Sequence, residues 1–257
     1  MRVASASESQ AELHFHLLPG VDDGPTTMAD SLELAEAAVA DGSSIVVATP
    51  HIRHGGVLEP LLLPGMVAEL RAHLAGAGVP LEIHCGGELA HELVGRLGQH
   101  ELQTIAHGPA SGRWLLVEAP FEGIGADFHA STAELRARGF GVLIAHPERS
   151  ADALLDGGAG LHRELAAGSL AQVNAMSLVG AHGEEVRAAA AALVVSGAVA
   201  AIASDAHGPT RPPALSLARA ALAALDIQPE TIEQLVCAAP RQLLARGISM
   251  RAAPLAA

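Results

Sequence analysis

The sequence predicts a parallel α/β barrel in which strands and helices alternate along the chain. Its apolar runs are continuous rather than alternating with polar residues, as expected of parallel strands that helices cover on the outside. A histidine or an acidic residue follows each run within a few positions. Since the C-terminal ends of parallel strands meet around one axis of a barrel, these polar residues are expected to form a single site.

The apolar runs are spread over most of the chain. They occupy residues 45–48, 115–117, 142–145 and 198–202, and the polar residues that follow them are His51, Glu118, His146 and Asp205. With 257 residues, of which 50% are hydrophobic, the chain can bury a substantial core. We therefore expect one barrel domain over residues 1–257, with an N-terminal extension at 1–10 and a C-terminal tail at 247–257.

Seven strand–helix units can be drawn. A loop rich in Pro, Gly and Asp follows the first strand, and Thr26 or Thr27 then caps a helix that Gly42 ends. Strands are predicted at 12–16, 45–48, 79–85, 114–118, 141–146, 171–174 and 198–204. Further helices are predicted at 64–77, 88–97, 127–138, 161–167 and 183–196, and in pieces from 212 onward. The odd count leaves two alternatives, an eightfold barrel with one hidden strand or a barrel of seven.

Composition argues against several other classes of protein. No apolar stretch reaches about 18 residues and the N-terminus lacks an apolar signal core, so we expect a cytoplasmic protein without membrane insertion. Cys85 and Cys237 indicate two reduced thiols rather than a disulfide framework. The net charge of −13 argues against binding to nucleic acid or anionic lipid, which needs clustered positive charge. Bound cations would offset part of that charge, or the acidic surface serves solubility.

A His-x-His pair on the first strand points to a metal. Alternate strand residues share a face, so the imidazoles of His14 and His16 can enter the same cavity, and two imidazoles suit zinc, manganese or iron. Further candidates lie at or just past strand ends: Asp23, His51, Glu88, Glu118, His146, Asp205 and His207. This shared placement favours one metal site over a set of ordinary polar residues.

Successive motifs along the chain resemble those of one known superfamily. The paired aspartates of the first loop and the H-P-E-R and S-D-x-H blocks are the most specific of them. From about residue 13 to residue 213 the matching segments read HFHLLPGVDDG, VVATPHIRHG, CGGEL, LLVEAP, LIAHPERS, QVNAMSLVG and IASDAHGPTRPP. They resemble the bacterial polymerase-and-histidinol-phosphatase (PHP) superfamily, and within it the manganese-dependent protein-tyrosine phosphatases encoded with capsule and exopolysaccharide export systems.

The resemblance implies a distorted (β/α)7 TIM-like barrel, the PHP fold, with three divalent metal ions per chain. Manganese is the first choice, and iron, zinc, cobalt or magnesium are alternatives. The residue-by-residue match divides the ligands into His14, His16, Glu88 and Asp205 for one ion, Glu88, Glu118 and His146 for a second, and Asp23, His51 and His207 for a third. Such ions would activate a water for in-line attack and neutralise phosphate oxygens.

The resemblance also implies a place for the substrate's phosphate group. Arg149 and Arg211 match phosphate-binding arginines, and a planar guanidinium can hold two phosphate oxygens at once; a surface salt bridge is the alternative. Tyrosine is a tolerable leaving group, so no covalent intermediate is required. Cys85 lacks the arginine six positions on that cysteine-based phosphatases share, so Cys85→Ser is expected to keep most activity.

Several polar residues keep alternatives. Asn174 matches a position that would hydrogen-bond to a ligand rather than bind metal itself. His54 is either a substrate contact or a solvated loop residue, and Asp22 either faces the metals or holds its turn. Histidines away from the motif positions, His107 and His182 among them, are expected to be structural or solvent-facing.

The chain departs from the family pattern in two motifs and in its aromatic residues. The block that usually reads H-x-E-R-Y ends in Ser150, and Ile52 replaces the second of a commonly doubled histidine. There is no tyrosine, and four phenylalanines and one tryptophan leave few rings to stack on phosphotyrosine. Phe15 and Phe121 are the candidates, with core packing as the alternative for both.

The sequence supports a metal-dependent phosphomonoester hydrolase, with a protein-tyrosine phosphatase as the first hypothesis. Its substrate would be the phosphotyrosine tail of a cognate bacterial tyrosine kinase, and it would regulate capsular or exopolysaccharide biosynthesis. The first alternative is a small-molecule phosphatase of the histidinol-phosphate type. The second is a non-catalytic regulatory module of an export complex, which the complete set of ligand residues argues against.

Overall fold

Parallel strands form the wall of the fold, which is described by a computed structural model for residues 9–249 except 56, 58 and 156. The strands are β1 Gln10–Phe15, β2 Ser43–Ala48, β3 His51–Ile52, β4 Glu82–Cys85, β5 Glu88–Ala90, β6 Trp114–Glu118, β7 Gly141–Ala145, β8 Leu170–Asn174 and β9 Ala201–Ala203. They form two parallel sheets, ordered β1-β2-β4 and β3-β5-β6-β7-β8-β9. Most of the predicted extension and tail, residues 1–8 and 250–257, lie outside the described residues.

Two local interruptions explain why there are two sheets. Pro50, which has no N–H to donate, separates β2 from β3, and Gly86 and Gly87 separate β4 from β5. A side chain at Gly86 would collide with the buried ring of His107. When each interrupted pair is taken as one strand, the described residues provide seven strand positions.

The ring closes between its first and last strands. The N–H of His16 donates to the carbonyl of Ala206 at 2.8 Å, and the N–H of Asp205 donates to that of His14 at 3.0 Å. Of the two alternatives left by the sequence, the sevenfold barrel is therefore the one observed. The predicted fold class is confirmed.

One predicted helix is wrong in part. Residues 88–97 were expected to be helical, but Glu88 begins β5 and only His91–Arg96 forms a short 3-10 helix. The N–H of Glu88 donates to the carbonyl of Pro50 at 3.0 Å, and His51 pairs with Glu88 in register. This pairing holds the Glu88 carboxylate on the wall of the barrel rather than in a loop beyond it.

Helices connect the strands. They are α1 Met28–Ala40, α2 Leu63–Ala77, α3 Gln99–Ile105, α4 Ala126–Ala137, α5 Ala151–Leu155, α6 Ala159–Ala166, α7 Ala175–Leu178, α8 Glu184–Val195, α9 Leu215–Ala224, α10 Pro229–Glu233 and α11 Ala239–Arg246. Of the two threonines proposed as the cap of α1, Thr27 serves, in a reciprocal capping box with Asp30. None of the helices in the described ranges has the length and apolar character needed to cross a membrane.

The C-terminal segment closes one end of the barrel. The indole N–H of Trp114, at the start of β6, donates to the carbonyl of Leu243 at 3.0 Å. The N–H of Ile248 donates to the carbonyl of Gly112 at 2.9 Å, and its side chain packs against Gly141 at the start of β7. Apolar side chains thus fill the N-terminal ends of these strands, which leaves the opposite end for a polar site.

Candidate metal centre

The His-x-His pair enters the barrel cavity at the end of β1. His14 and His16 are both fully buried, and their Nε2 atoms are 3.3 Å apart. Asp205 Oδ1 lies 3.2 Å from His14 Nε2 and 3.3 Å from His16 Nε2. Three ligand atoms, from the end of β1, the residue after it and the turn after β9, therefore surround one point.

Glu88 is the centre of the cluster. Its Oε2 lies 2.8 Å from His51 Nδ1 and 3.3 Å from His14 Nε2, and its Oε1 lies 2.9 Å from His146 Nε2. Glu118, at the end of β6, places a carboxylate oxygen within 4.8 Å of the ligand atoms of His51 and Glu88. Side chains on or next to four other strands thus surround the buried carboxylate of Glu88.

A third part of the cluster faces solvent. Asp23 Oδ1 lies 3.3 Å from the Nε2 atoms of both His51 and His207. The rings of His16 and His207 stack with centroids 3.7 Å apart, which joins this part to the buried one. The Asp23 side chain is 50% exposed, so a ligand can approach the cluster from this side.

The donor set fits divalent cations. The ligand atoms fall into four overlapping groups, each within 4.8 Å: His16, Asp23, His51 and His207; His14, His16 and Asp205; His14, Glu88 and His146; and His51, Glu88 and Glu118. Among the described residues, buried Glu88 Oε2, Asp205 Oδ1 and His207 Nε2 form ion pairs within the cluster but no well-oriented hydrogen bond. Buried carboxylate oxygens without well-oriented hydrogen bonds are costly, and a bound cation would compensate them. Mixed imidazole and carboxylate donors suit manganese, iron, zinc or cobalt.

These groups divide the ligands differently from the sequence match. Glu118 lies with His51 and Glu88, whereas His146 lies with His14 and Glu88. All nine predicted ligands meet at one end of the barrel, which is the arrangement that the site prediction requires. The number of ions and the ligands of each stay predictions.

Burial and charge oppose each other within the cluster. Burial raises the pKa of Glu88 and of Asp205, but the charge of His14 and the hydrogen bonds and charges of neighbouring histidines together outweigh it and hold both pKa values well below their usual range. Burial lowers the pKa of His16, yet its contacts with Asp205 and Asp22 raise that pKa well above normal. The pKa of His14 is raised as well. Protons on His14 and His16 therefore balance the carboxylates, and cation binding would displace them.

Two of the candidate ligands have an unusual backbone. His146 and Asp205 have φ angles of 36° and 52°, in the left-handed region that residues other than glycine seldom adopt. Each stands where a strand turns sharply into the following segment. Strained backbone of this kind is concentrated at functional sites, where the surrounding structure holds it in place.

Two arginines lie on one side of the cluster. Asp205 Oδ2 accepts hydrogen bonds from Arg211 Nη2 at 2.8 Å, from Arg149 Nη1 at 3.4 Å and from Asn174 Nδ2 at 2.8 Å. These residues line a cavity of about 270 Å³ together with His182. The arginines thus pair with a carboxylate of the cluster rather than with a surface partner, and both can reach an anion in the cavity.

Asp22 and Asp23 have separate tasks. Asp22 Oδ2 lies 2.6 Å from His16 Nδ1 and accepts the N–H of His51 at 3.0 Å, while its Oδ1 accepts the N–H of Gly24 at 3.0 Å. Burial raises the pKa of Asp22, but His16 and the backbone donors lower it to about 2. Asp22 therefore holds the turn and orients His16, whereas Asp23 faces the cluster.

Sequence reasoning missed a chain of amides behind the cluster. His14 Nδ1 lies 3.0 Å from Gln172 Oε1, and Gln172 Nε2 donates to Asn174 Oδ1 at 3.0 Å. With a cation bound at Nε2, this contact would hold the remaining His14 proton on Nδ1. Gln172 and Asn174 alternate at the end of β8 as His14 and His16 alternate at and just past the end of β1, and that Gln-x-Asn spacing was the available signal.

Three other predictions concern residues around the site. His54 is exposed and lies 3.3 Å from a guanidinium nitrogen of Arg96. His182 was expected to be structural or solvent-facing, but it lines the cavity beside the arginines. Burial raises the pKa of the Cys85 thiol to about 11, which disfavours the thiolate that a cysteine nucleophile needs.

Comparison with known proteins identifies a family with this architecture. The family model for capsular polysaccharide synthesis proteins, CpsB/CapC, matches residues 10–245. The chain belongs to the CpsB/CapC family. The resemblance read from the motifs of the sequence is thereby confirmed.

Relatives in the CpsB/CapC family carry names that describe an activity. Tyrosine-protein phosphatase YwqE of Bacillus subtilis is 29% identical over 197 residues, which cover 76% of this chain and 76% of YwqE. Putative tyrosine-protein phosphatase CapC of Staphylococcus aureus is 29% identical over 207 residues, which cover 79% of this chain and 78% of CapC.

Solved structures agree with the fold. One crystal structure comes from a study of YwqE from B. subtilis and CpsB from Streptococcus pneumoniae, which it describes as metal-dependent tyrosine phosphatases. It superposes on this chain with a TM-score of 0.76 at 26% identity, and the match covers 95% of this chain and 97% of that structure. The phosphotriesterase homology protein of Escherichia coli superposes with a TM-score of 0.63 at 13% identity, over 93% of this chain and 99% of its own. At 13% identity, the similarity to the E. coli protein shows only that the two chains share a barrel fold.

Proposed function

We propose that this CpsB/CapC family protein is a metal-dependent phosphomonoester hydrolase that removes phosphate from phosphotyrosine in proteins. One observation carries the proposal: the imidazole and carboxylate cluster and the two arginines share the carboxylate of Asp205. A site that can hold cations on one side of a carboxylate and an anion on the other is suited to a phosphate ester. The names of the relatives YwqE and CapC support the tyrosine substrate.

Divalent cations complete the proposed site. Three ions, with manganese the first choice, would be shared among the nine side chains that centre on Glu88 and His16. When bound, such ions supply Lewis acidity toward phosphate oxygens and lower the pKa of water toward neutrality. His14, whose Nδ1 proton is held by Gln172, would present Nε2 to them in the correct tautomer.

The arginines bind and orient the substrate in this proposal. Arg149 and Arg211 each donate to Asp205 Oδ2, and a phosphate group in the 270 Å³ cavity would accept those donors instead. Asn174 would keep its 2.8 Å hydrogen bond to Asp205 and so hold the carboxylate toward the cations. The phenol of tyrosine has a pKa near 10, so it can leave without a strong acid.

The expected partner is a bacterial tyrosine kinase. We propose that the phosphotyrosine tail of a kinase of polysaccharide export is the physiological substrate and that dephosphorylation regulates capsule or exopolysaccharide biosynthesis. The family description, which concerns capsular polysaccharide synthesis, supports this setting. The solvent-facing side of the cluster at Asp23 leaves room for a protein-borne tyrosine to approach.

A paired substrate assay tests the proposal. The purified protein with added manganese is given a phosphotyrosine peptide or histidinol phosphate, each before and after chelation. We expect higher kcat/KM for the peptide and loss of turnover on chelation. Much faster hydrolysis of histidinol phosphate would favour the small-molecule alternative, and a metal-loaded protein that hydrolyses neither compound would favour the regulatory module.

A further inference from the structure

One exposed aromatic ring neighbours a candidate ligand of the metal centre. The chain has four phenylalanines, one tryptophan and no tyrosine, and these five rings all belong to described residues. Phe15, Phe128, Phe140 and Trp114 are at most 1% exposed, whereas Phe121 is 46% exposed. A single exposed apolar residue is common on protein surfaces, so exposure alone carries no argument. The position of Phe121 is what matters.

Phe121 contacts one residue from each half of the proposed site, His146 from the cation side and Arg149 from the phosphate side. Its ring is parallel to that of His146, with an interplanar angle of 5° and centroids 6.2 Å apart. The guanidinium carbon of Arg149 lies 4.9 Å from the centroid of the Phe121 ring. The ring therefore neighbours both a candidate metal ligand and a phosphate-binding arginine, and aromatic groups interact over such distances.

The loop that carries Phe121 is fixed to the arginine segment. The carbonyl of Phe121 accepts the N–H of Ala151 at 2.9 Å, and the hydroxyl of Ser150 donates to the carbonyl of Pro120 at 2.8 Å. Ser150 and Ala151 directly follow Arg149 in the chain. Because these bonds fix the two backbone segments relative to each other, a ligand that contacts both side chains would meet a backbone that is already ordered.

We propose that Phe121 determines specificity for aryl phosphate esters, by packing against the aromatic ring of the ester while Arg149 holds its phosphate. This inference rests on the proposed function and adds the class of ester group that the site selects. A phosphotyrosine side chain carries its ring directly on the ester oxygen, so the ring must lie close to the phosphate. Phe121 is the exposed phenyl group that the described structure provides beside that position.

Binding of two phosphonates to the manganese-loaded protein tests the inference without turnover. Phenylphosphonate and methylphosphonate share the anionic group and differ in the ring. We expect the native protein to bind phenylphosphonate more tightly than methylphosphonate. Phe121→Ala and Phe121→Leu should each reduce the Kd of methylphosphonate divided by that of phenylphosphonate about three- to tenfold, the range expected for an aromatic pair. Phe121→Tyr should keep the ratio, and Leu217→Ala, at a 51% exposed leucine of α9, serves as the matched control.

The outcomes separate this inference from the proposed function. If both phosphonates bind but Phe121→Ala leaves their Kd ratio unchanged, the role of Phe121 is overturned while the phosphatase proposal stands. If the native protein binds neither compound, the proposed function fails and the inference fails with it. Equal melting temperatures of the native protein and the Ala variant would exclude misfolding as the cause of a lowered ratio.

Discussion

Asp205 joins the two chemical halves of the site at the level of single atoms. Its Oδ1 lies 3.2 Å from His14 Nε2, whereas its Oδ2 accepts hydrogen bonds from Asn174 and Arg211, both at 2.8 Å. The left-handed backbone at Asp205 is one means of aiming the two oxygens in different directions. Loss of this carboxylate should therefore affect cation binding and phosphate binding together.

Substitutions at Arg149 and Asp205 should have different effects. Arg149→Ala removes a charged donor from the phosphate side, so we expect kcat/KM for a phosphotyrosine peptide to fall about 10- to 100-fold with the bound metal unchanged. Asp205→Ala should lower both the metal content and the rate. Steady-state kinetics and elemental analysis of the same preparations measure both quantities. Unchanged hydrolysis by the Arg149 variant would remove that residue from the site.

Among single residues, the sequence predicts the role of those that belong to a recognisable motif. It misses those whose role depends on contacts between distant parts of the chain. The Ser-Asp-x-His block points to Asp205 because acidic and imidazole groups follow an apolar run. Gln172, by contrast, lies 158 positions from His14, and its contact with that ring depends on the pairing of distant strands. His182 lies in a loop whose pattern carries no sign that it lines the cavity.

Short strands are the elements that sequence patterns cannot resolve. β3 has two residues and β5 has three, which are too few for a periodic signal, and the polar Glu88 favoured a helix over a strand. Longer elements were predicted well, since β6 at Trp114–Glu118 matches its predicted bounds and α1 begins after Thr27 as the cap indicated. The ring of His107 packs against Gly86 in the interruption between β4 and β5, and this contact depends on tertiary packing that the sequence pattern does not show.

His107 should make stability depend on pH. Burial, followed by the charge of His84, lowers the pKa of His107 to about 3, so the folded protein keeps this ring neutral. An unfolded chain takes up the proton below about pH 6.5, so stability is fully present above that pH and is lost as the pH falls toward 3. Between pH 7 and 4.5 we expect a loss of about 2 to 3 kcal/mol from this residue.

Urea unfolding of the chelated protein at pH 7 and pH 4.5 measures this effect. His107→Leu should show a smaller loss of unfolding free energy on acidification than the native protein. His100→Gln, at an exposed histidine of α3, is the matched control and should behave like the native chain. Equal losses in the native protein and the His107 variant would contradict a neutral buried ring.

The whole molecule is organised so that packing and chemistry occupy opposite ends of the barrel. Trp114, Leu243 and Ile248 close the N-terminal ends of the strands, whereas the nine candidate ligands meet at the C-terminal ends. The formal charge of −13 is concentrated in part on the carboxylates of this cluster, and bound cations would offset it. Continuous apolar runs sufficed to predict the barrel and its polar end, because parallel strands impose both.

Metal content measured together with turnover tests the central claim most directly. Elemental analysis of the purified protein should find about three divalent ions per chain, and a chelator should remove them and abolish hydrolysis of a phosphotyrosine peptide, with recovery on addition of manganese. A protein that contains no bound metal and hydrolyses the peptide equally well with or without chelator would contradict the account.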